Sequence, residues 1–182
     1  VSEQAHVASR HGAFLPFAQL FDCTFFGLSQ AETCSTDPQQ RLLLEYGYAT
    51  LHAEMQRRED LLAANTGVYL GIMNADFAVL QAMDESVYAA TGGTISIAAG
   101  RLSFALGTQG PCASYDTACS SALVALHSAS SAMHLGECVM ALSLAVNLML
   151  VSRTHDRYAH AGMLSADGRC KTFDKRANGY AR

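Results

Sequence analysis

Residues 110–127 read Gly110-Pro111-Cys112-Ala113-Ser114-Tyr115-Asp116-Thr117-Ala118-Cys119-Ser120-Ser121-Ala122-Leu123-Val124-Ala125-Leu126-His127. The Gly-Pro pair marks a turn, and residues 112–117 have the length and composition of a short β-strand. From Ser120 the spacing becomes helical, with one side formed by Ala122, Leu123, Leu126, Ala129, Ser130 and Met133. The stretch therefore predicts a strand, a sharp turn that carries a cysteine, and a helix that starts at Cys119 and ends at Gly136.

The position of Cys119 in this pattern suits a nucleophile. A thiol at the start of a helix lies among the N–H groups of the first turn, where the helix dipole favours negative charge and therefore the thiolate. A backbone N–H at such a turn can also help to hold a developing oxyanion. Most cysteines are buried structural residues, but the strand–turn–helix setting favours a reactive one. Cys119 is therefore the candidate catalytic residue.

Length and composition limit the class of protein. The 182 residues, of which 50% are hydrophobic, suffice for one sizeable core. A net charge of −4 argues against nucleic-acid binding, which needs a clustered basic surface. The chain has no apolar run long enough for a membrane span. Its six cysteines show neither zinc-ligand spacing nor a disulfide framework, so we expect reduced thiols of an intracellular protein and no metal site.

The first half of the chain predicts a capped helix and a buried strand. Asp37 suits the N-cap, Pro38 suits the first helical position, and Gln40 is placed to bond back to the cap. We expect this helix to run from Pro38 to about Glu59, with Arg41 in a buried salt bridge rather than in catalysis. Residues 66–72 form a short apolar run with glycines, which is typical of a strand in a buried parallel sheet.

Four other segments carry weaker predictions. Residues 21–29 indicate an aromatic loop that lines the core, and residues 95–107 a short helix that ends at Gly107. Residues 138–151 indicate a central strand followed by a loop. Residues 73–89 contain Asp76, Asp84 and Glu85; a carboxylate pair for acid–base chemistry is conceivable there, but a solvated helical face is favoured.

The motifs resemble β-ketoacyl synthases, and most of all the ketosynthase domains of modular or iterative polyketide synthases. Residues 116–127 resemble the active-site segment of that family. Segments in the same order as in the family occur at 10–15, 21–29, 36–45, 96–103 and 162–180. One departure is Leu144-Ala145, where family members usually have two glycines, so a small backbone shift is expected there.

The resemblance implies an α/β fold of the thiolase-like, layered α/β/α/β/α kind. Residues 1–182 would be a partial ketosynthase domain, truncated at both ends, that supplies most of the first half of this fold. The implied reaction is a decarboxylative Claisen condensation, with the acyl chain held on Cys119 and substrates carried on the phosphopantetheine of an acyl carrier protein. No cofactor or metal bound by the chain itself is implied. A homodimer is implied, with residues 95–107 near its interface.

In the family, two histidines and a lysine downstream of the cysteine assist decarboxylation, so the 182 residues alone are expected to be inactive. His127 lies eight residues after Cys119, about 12 Å along a helix, and His134 lies farther still. His155 and His160 fall on a polar segment predicted to be a solvated loop. The remaining histidines, which have no supporting context, are His6, His11 and His52.

Three alternatives remain open on the sequence. A fatty-acid synthase condensing enzyme would share the fold and the chemistry. A self-contained cysteine hydrolase would use His155 or His160 as its base. A non-catalytic scaffold or dimerisation half would have an ordinary thiol at Cys119.

Overall fold

The computed structural model describes residues 11–81 and 85–182. His6, Asp84 and the first residue of the segment 10–15, which were named above, lie outside the described residues. The chain divides into two compact units, each of which is described by itself. We call residues 18–148 the sheet unit, and residues 11–17 together with 149–182 the terminal unit.

The sheet unit alternates helices and strands. Its strands are β1 (Thr66–Ile72), β2 (Cys112–Tyr115) and β3 (Met140–Val146). Its helices are α1 (Cys23–Phe26), α2 (Gln30–Cys34), α3 (Pro38–Ala53), α4 (Arg58–Leu61), α5 (Asp76–Leu80), α6 (Ala89–Gly92), α7 (Ala98–Leu106) and α8 (Ser121–His134). Two short 3₁₀ turns cover Ile95–Ile97 and Ala118–Ser120. The terminal unit contains α9 (Ser152–His160).

The three strands form one parallel sheet in the order β2-β1-β3. Val68 of β1 lies opposite Cys112 of β2, and Thr66 of β1 lies opposite Met140 of β3. Every residue of β1 is buried, which confirms the predicted buried parallel strand. The prediction that 138–151 holds a central strand is wrong for the described sheet: β1 takes the middle position, and β3 lies at an edge with most of its residues half-buried.

Alternate residues of β1 face two layers of helices. Val68, Leu70 and Ile72 belong to the main core, together with leucines of α3 and α7. Tyr69 points to the opposite face, where it packs with the alanines of α8. The sheet unit is therefore layered α/β, as predicted, with helices on both faces of the sheet.

Helix α8 contacts the sheet through its smallest residues. Its buried positions are Ser121, Ala125, Ala129 and Ala132. Leu123 and Leu126, predicted to share one side with the small residues, are instead 69% and 56% exposed. The prediction of the helix face was wrong because β1 presents glycines on either side of Tyr69, and a helix can approach that surface closely only with small side chains.

The N-terminus of α3 is capped as predicted, but Gln40 does not take part. Asp37 Oδ1 accepts a 2.7 Å hydrogen bond from the backbone N–H of Gln39. The Gln40 side chain instead donates to the carbonyl oxygen of Gly92 at 3.0 Å and accepts from Arg101 Nε at 2.7 Å. The helix ends at Ala53 rather than near Glu59, and α4 follows as a separate turn.

The expected ion pair of Arg41 is absent among the described residues, and Arg101 forms one instead. Arg101 Nη1 lies 2.8 Å from Glu32 Oε1, and its side chain is 11% exposed. Arg41 reaches the carbonyl oxygen of Gln19 at 3.5 Å, and burial lowers the pKa of its guanidinium. Asp37, the acid that acts most strongly on Arg41, is occupied by capping α3.

Three smaller segments differ from or refine the sequence predictions. The aromatic stretch at 21–29 contains the helical turn α1, in which Phe26 is buried and the Phe21 and Phe26 rings stack at 5.3 Å. Asp76 is not part of a solvated face, because it is a buried residue in the first turn of α5. Helix α7 ends at Gly107 in the left-handed conformation, as predicted.

The backbone at the family departure needs no adjustment. Leu144 and Ala145 lie within β3, and neither is among the described residues with positive φ. A glycine is therefore not required at either position.

The terminal unit includes α9 and the turns of residues 161–182. Gly168 and Gly179 have φ values of +64° and +128°, which glycine adopts in turns more readily than other residues. Ser165 is buried and bonds the side chains of Asp167 and Asn178. Hydrogen bonds from Lys171 and Ser165 hold the pKa of the Asp167 carboxyl well below its usual range.

His155 and His160 lie on α9, not on a loop as predicted. Ala159 is the buried residue of this helix. The segment was predicted to be a loop because most of its other residues are polar. Across the described residues, no helix has both the length and the apolar character required to cross a bilayer.

Gly71 sets the distance between β1 and α8, which yields a testable prediction. A Cβ at Gly71 would lie 2.7 Å from the backbone nitrogen of Ala122, so the start of α8 would have to shift. We expect Gly71→Ala to destabilise the protein by about 1–3 kcal/mol, the usual cost of overpacking. The measurement is hydrogen exchange over residues 117–126 in the intact protein, where protection should fall.

Gly100→Ala is the matched control, because no heavy atom lies within 4 Å of a Cβ at this helical glycine. It should stabilise α7 by up to about 1 kcal/mol and leave residues 117–126 unchanged. Equal protection of those residues in wild type and Gly71→Ala would contradict the proposed role of this contact.

Candidate functional site

The site is built where β2 leaves the sheet. All three strands are parallel, so their carboxyl ends meet at one edge. At that edge β2 ends at Tyr115, the chain turns sharply over residues 116–120, and α8 begins at Ser121. We call residues 116–120 the elbow. Open α/β sheets commonly bind ligands at this edge.

The elbow contains a backbone conformation that is unusual for its residue. Ala118 has a φ of +55°, in the left-handed region that costs a residue with a Cβ about 1–2 kcal/mol. The Asp116 carboxylate compensates in part, because its Oδ1 accepts a 3.1 Å hydrogen bond from the Ala118 N–H. Strained backbone that the surroundings hold in place is common at functional sites.

Two serine hydroxyls fix the turn further. Ser121 Oγ accepts from the Thr117 N–H at 2.9 Å and donates to the Ala118 carbonyl oxygen at 2.7 Å. Ser120 Oγ donates to the Thr117 carbonyl oxygen at 2.8 Å. The side chains of 116, 120 and 121 therefore hold the backbone on both sides of Cys119.

Cys119 lies in the 3₁₀ turn Ala118–Ser120, two residues before α8. The helix thus begins at Ser121 and not at Cys119 as predicted, because the elbow needs one tight turn before the α-helical hydrogen bonds can start. Cys119 is exposed. Ser120 occupies the N-cap position of α8 but makes no cap bond, since its hydroxyl is used by Thr117.

This arrangement has a clear chemical capacity. A thiol at the elbow is open to a carbonyl substrate, and it lies in the turn that leads into the N-terminus of α8. A helix N-terminus favours negative charge, whether on a thiolate or on the oxygen of a tetrahedral intermediate. The geometry therefore suits acyl transfer to Cys119.

The histidines of the sheet unit do not join Cys119. His127 and His134 are exposed residues of α8, and His134 Nδ1 lies 2.7 Å from the Ser130 carbonyl oxygen. The His52 ring lies 5.8 Å from the ring of Tyr48. His155 and His160 belong to the terminal unit, where His160 Nδ1 lies 2.7 Å from the carbonyl oxygen of Asp156.

The other cysteines of the sheet unit have different environments. Cys112 is exposed, but it begins β2 and therefore lies at the opposite end of the strand from the elbow. Cys138 is buried beside Tyr69, where burial raises the pKa of the tyrosine hydroxyl. In residues 11–81 and 85–182, no group of three or more acidic, histidine or cysteine side chains is placed to hold a metal ion.

The sequence motif singles out Cys119 as the candidate nucleophile, but it does not indicate which residues shape the turn around it. Asp116 and Ser121 lie in the quoted motif, and Gly71 lies in the predicted strand, yet none was given a role. Ser121 carried a signal, because serine favours helix starts. Nothing in the sequence indicated that Gly71 would touch the first turn of α8, since the two are about 50 residues apart.

The comparisons with known proteins agree on one family. The family model "Beta-ketoacyl synthase, N-terminal domain" matches residues 2–182. A phenolphthiocerol synthesis polyketide synthase type I of Mycobacterium bovis is 43% identical over 171 residues, which is 94% of this chain and 8% of that protein. The non-reducing polyketide synthase olcA of Penicillium canescens is 41% identical over 165 residues, 89% of this chain and 7% of that protein.

A solved structure matches over the whole chain. A mutant form of the ketosynthase from module 6 of the bacillaene synthase from Bacillus subtilis 168 superimposes with a TM-score of 0.86 and 34% identity, covering 100% of this chain and 30% of that chain. The α/β fold with a parallel sheet is thus that of solved ketosynthases, the thiolase-like fold predicted from the sequence. Together these matches establish that the chain belongs to the β-ketoacyl synthase family, as the N-terminal part of a polyketide synthase ketosynthase domain.

Proposed function

We propose that Cys119 accepts an acyl chain from the phosphopantetheine thioester of an acyl carrier protein. The observation that carries the proposal is the exposed thiol on a strained, hydrogen-bonded elbow at the carboxyl edge of the sheet, in a chain of the ketosynthase family. The Cys119 thiol loses its proton, the thiolate attacks the thioester carbonyl and a new C–S bond forms. The old C–S bond breaks, and the carrier sulfur leaves as a thiolate, which takes up the released proton. Backbone N–H groups near the start of α8 stabilise the oxyanion.

The second step is proposed for the complete domain. A malonyl-type extender loses CO2 to form an enolate, whose carbon attacks the acyl-Cys119 carbonyl; a C–C bond forms and the cysteine leaves as a thiolate. The resemblance assigns the groups that assist decarboxylation to two histidines and a lysine after the matched segment. Residues 1–182 are therefore proposed to form part of one ketosynthase domain and to supply its nucleophile.

Polyketide chemistry is favoured over fatty-acid synthesis. The relatives with 43% and 41% identity are polyketide synthases, and the solved ketosynthase comes from the bacillaene synthase. No specific observation favours the hydrolase alternative, which would use His155 or His160 of the terminal unit, or the scaffold alternative.

The proposal predicts that Cys119 is the acylation site. In the intact protein, incubation with butanoyl-pantetheine should add one butanoyl group to the peptide that contains Cys119, detected by mass spectrometry. Cys119→Ala should abolish loading because it removes the attacking sulfur.

Cys112→Ala is the matched control, because Cys112 is also exposed but lies at the far end of β2. It should leave loading unchanged. Loading that persists in Cys119→Ala would sink the assignment, as would loading that disappears in Cys112→Ala alone.

A homodimer is proposed as the working form. Within the described residues β2 pairs with β1 alone, so the other side of this strand is open to a second copy. The interface is proposed to include the neighbouring residues 95–107, as the family resemblance implies. Sedimentation of the intact protein tests this: a dimer is expected at micromolar concentration, and a monomer would contradict it.

A further inference from the structure

Two loops at the carboxyl edge of the sheet are joined by side-chain amides. Asn74 lies two residues beyond the end of β1, and Asn147 directly follows β3. Asn74 Nδ2 donates to Asn147 Oδ1 at 2.6 Å and contacts the carbonyl oxygen of Leu148 at 3.4 Å. These hydrogen bonds join the loop after β1 to the loop after β3, and we call the two joined loops the wall.

The Gln39 side chain forms hydrogen bonds with both loops of the wall. Its side-chain Nε2 donates to the Asn74 carbonyl oxygen at 2.9 Å, and its Oε1 accepts from the Leu148 N–H at 3.0 Å. The residue is 1% exposed. Both ends of one buried amide are thus used by the backbones of two loops that are far apart in sequence, and we call this set of contacts the Gln39 brace.

The Gln39 brace supports the backbone of Asn74, which has an unfavourable conformation. Asn74 has a φ of +72°, in the left-handed region that asparagine tolerates better than most residues but that still requires support. Asn147 is exposed, so the joined amides form a polar surface at the sheet edge with Gln39 buried beneath it. Capping of α3 does not explain these bonds, because that task belongs to Asp37.

The register places this wall beside the elbow. Gly71 of β1 lies opposite Tyr115 of β2. Gly71 also meets the start of α8, since a Cβ there would lie 2.7 Å from the Ser121 carbonyl carbon. Asn74 follows Gly71 by three residues, just beyond the end of β1. The first loop of the wall therefore leaves the sheet beside the strand that leads into the elbow and Cys119.

We infer that Gln39 is a positioning residue for acyl transfer: it fixes the β1 and β3 loops as one wall against which a thioester substrate is held for attack by Cys119. The inference rests on the function proposed for Cys119. It assigns to Gln39 no contact with the reacting atoms. Gln39 influences the binding and orientation of the acyl substrate through the two loops, and it does not influence the thiol itself.

The test compares two reactions of the same thiol in the intact protein. Loading from butanoyl-pantetheine requires the wall to hold the thioester in position, whereas alkylation by iodoacetamide requires only the thiolate of Cys119. Gln39→Met keeps the length of the side chain but removes its hydrogen bonds to both loops, together with the 3.3 Å contact to Asp37 Oδ2. Each such bond contributes modestly to stability. The loading rate should fall by about tenfold or more, while the Cys119 alkylation rate stays within about twofold of wild type.

Gln40→Met is the matched control. Gln40 is the next residue of α3, is 2% exposed, and binds the turn at 91–94 rather than the strand loops. Its ratio of loading to alkylation should equal that of wild type.

Gln39→Glu supplies a second variant and a pH readout. An ionised carboxylate keeps the bond from the Leu148 N–H but loses the donor to Asn74, and it lies beside Asp37, whose Oδ2 is 3.3 Å from Gln39 Nε2. Arg41 and Asp76 are the further charged groups that act on Asp37. Protonation restores a donor, so the ratio of loading to alkylation should rise toward wild type as the pH falls, whereas that of Gln39→Met should stay flat.

The outcomes separate the two claims. Parallel loss of loading and alkylation in Gln39→Met, or loading at the wild-type rate, would overturn the positioning role alone. A Gln39→Glu ratio that is flat with pH would also overturn it. Failure of the wild-type protein to load would overturn the proposed function of Cys119, and the role of Gln39 with it.

Discussion

The contact between β1 and the first turn of α8 governs the geometry of the site. Gly71 leaves no room for a side chain, since a Cβ there would lie 2.7 Å from the Ala122 nitrogen. Because the strand and the helix touch at this point, the start of α8 is fixed relative to the sheet. The elbow has to span the gap from the end of β2 to that fixed start in five residues, and Ala118 adopts a positive φ as part of this tight path.

The same contact explains the two different sides of α8. The side toward β1 is restricted to Ser121 and three alanines, which give little apolar area but permit a close approach. Tyr69 fills the space that the alanines leave. The leucines lie on the other side and are exposed among the described residues. Large exposed apolar side chains on a helix are typical of a surface that packs against something else.

Structural features that depend on residues close together in the sequence were predicted correctly. The strand at 66–72, the Asp37 cap and the end of α7 at Gly107 all follow from residue types at neighbouring positions, and each was found. The Cys119 motif was recognised for the same reason. The errors concern partners that are distant in sequence. Gln40 bonds the turn at 91–94, not its own cap, and β3 lies at a sheet edge because β1 occupies the centre.

The candidate site shows the same division. Cys119 and its turn could be predicted from sequence, whereas the residues that set the turn could not, because Gly71 and Gln39 act across the fold. Arg101 is another example: its ion pair with Glu32 and its bond to Gln40 join α7, α2 and α3 in a network with no local signature. Electrostatic predictions for Arg41 failed for this reason, since its strongest acidic neighbour was committed to a helix cap.

The most direct measurement is the rate of iodoacetamide alkylation at Cys119 relative to Cys112, followed peptide by peptide in the intact protein at pH 7. Both thiols are exposed and share one strand–turn unit, so solvent access does not separate them. If the elbow and the start of α8 activate the Cys119 sulfur as a nucleophile, Cys119 should react at least about tenfold faster than Cys112. Equal rates at the two cysteines would contradict the claim that this fold prepares Cys119 as a nucleophile.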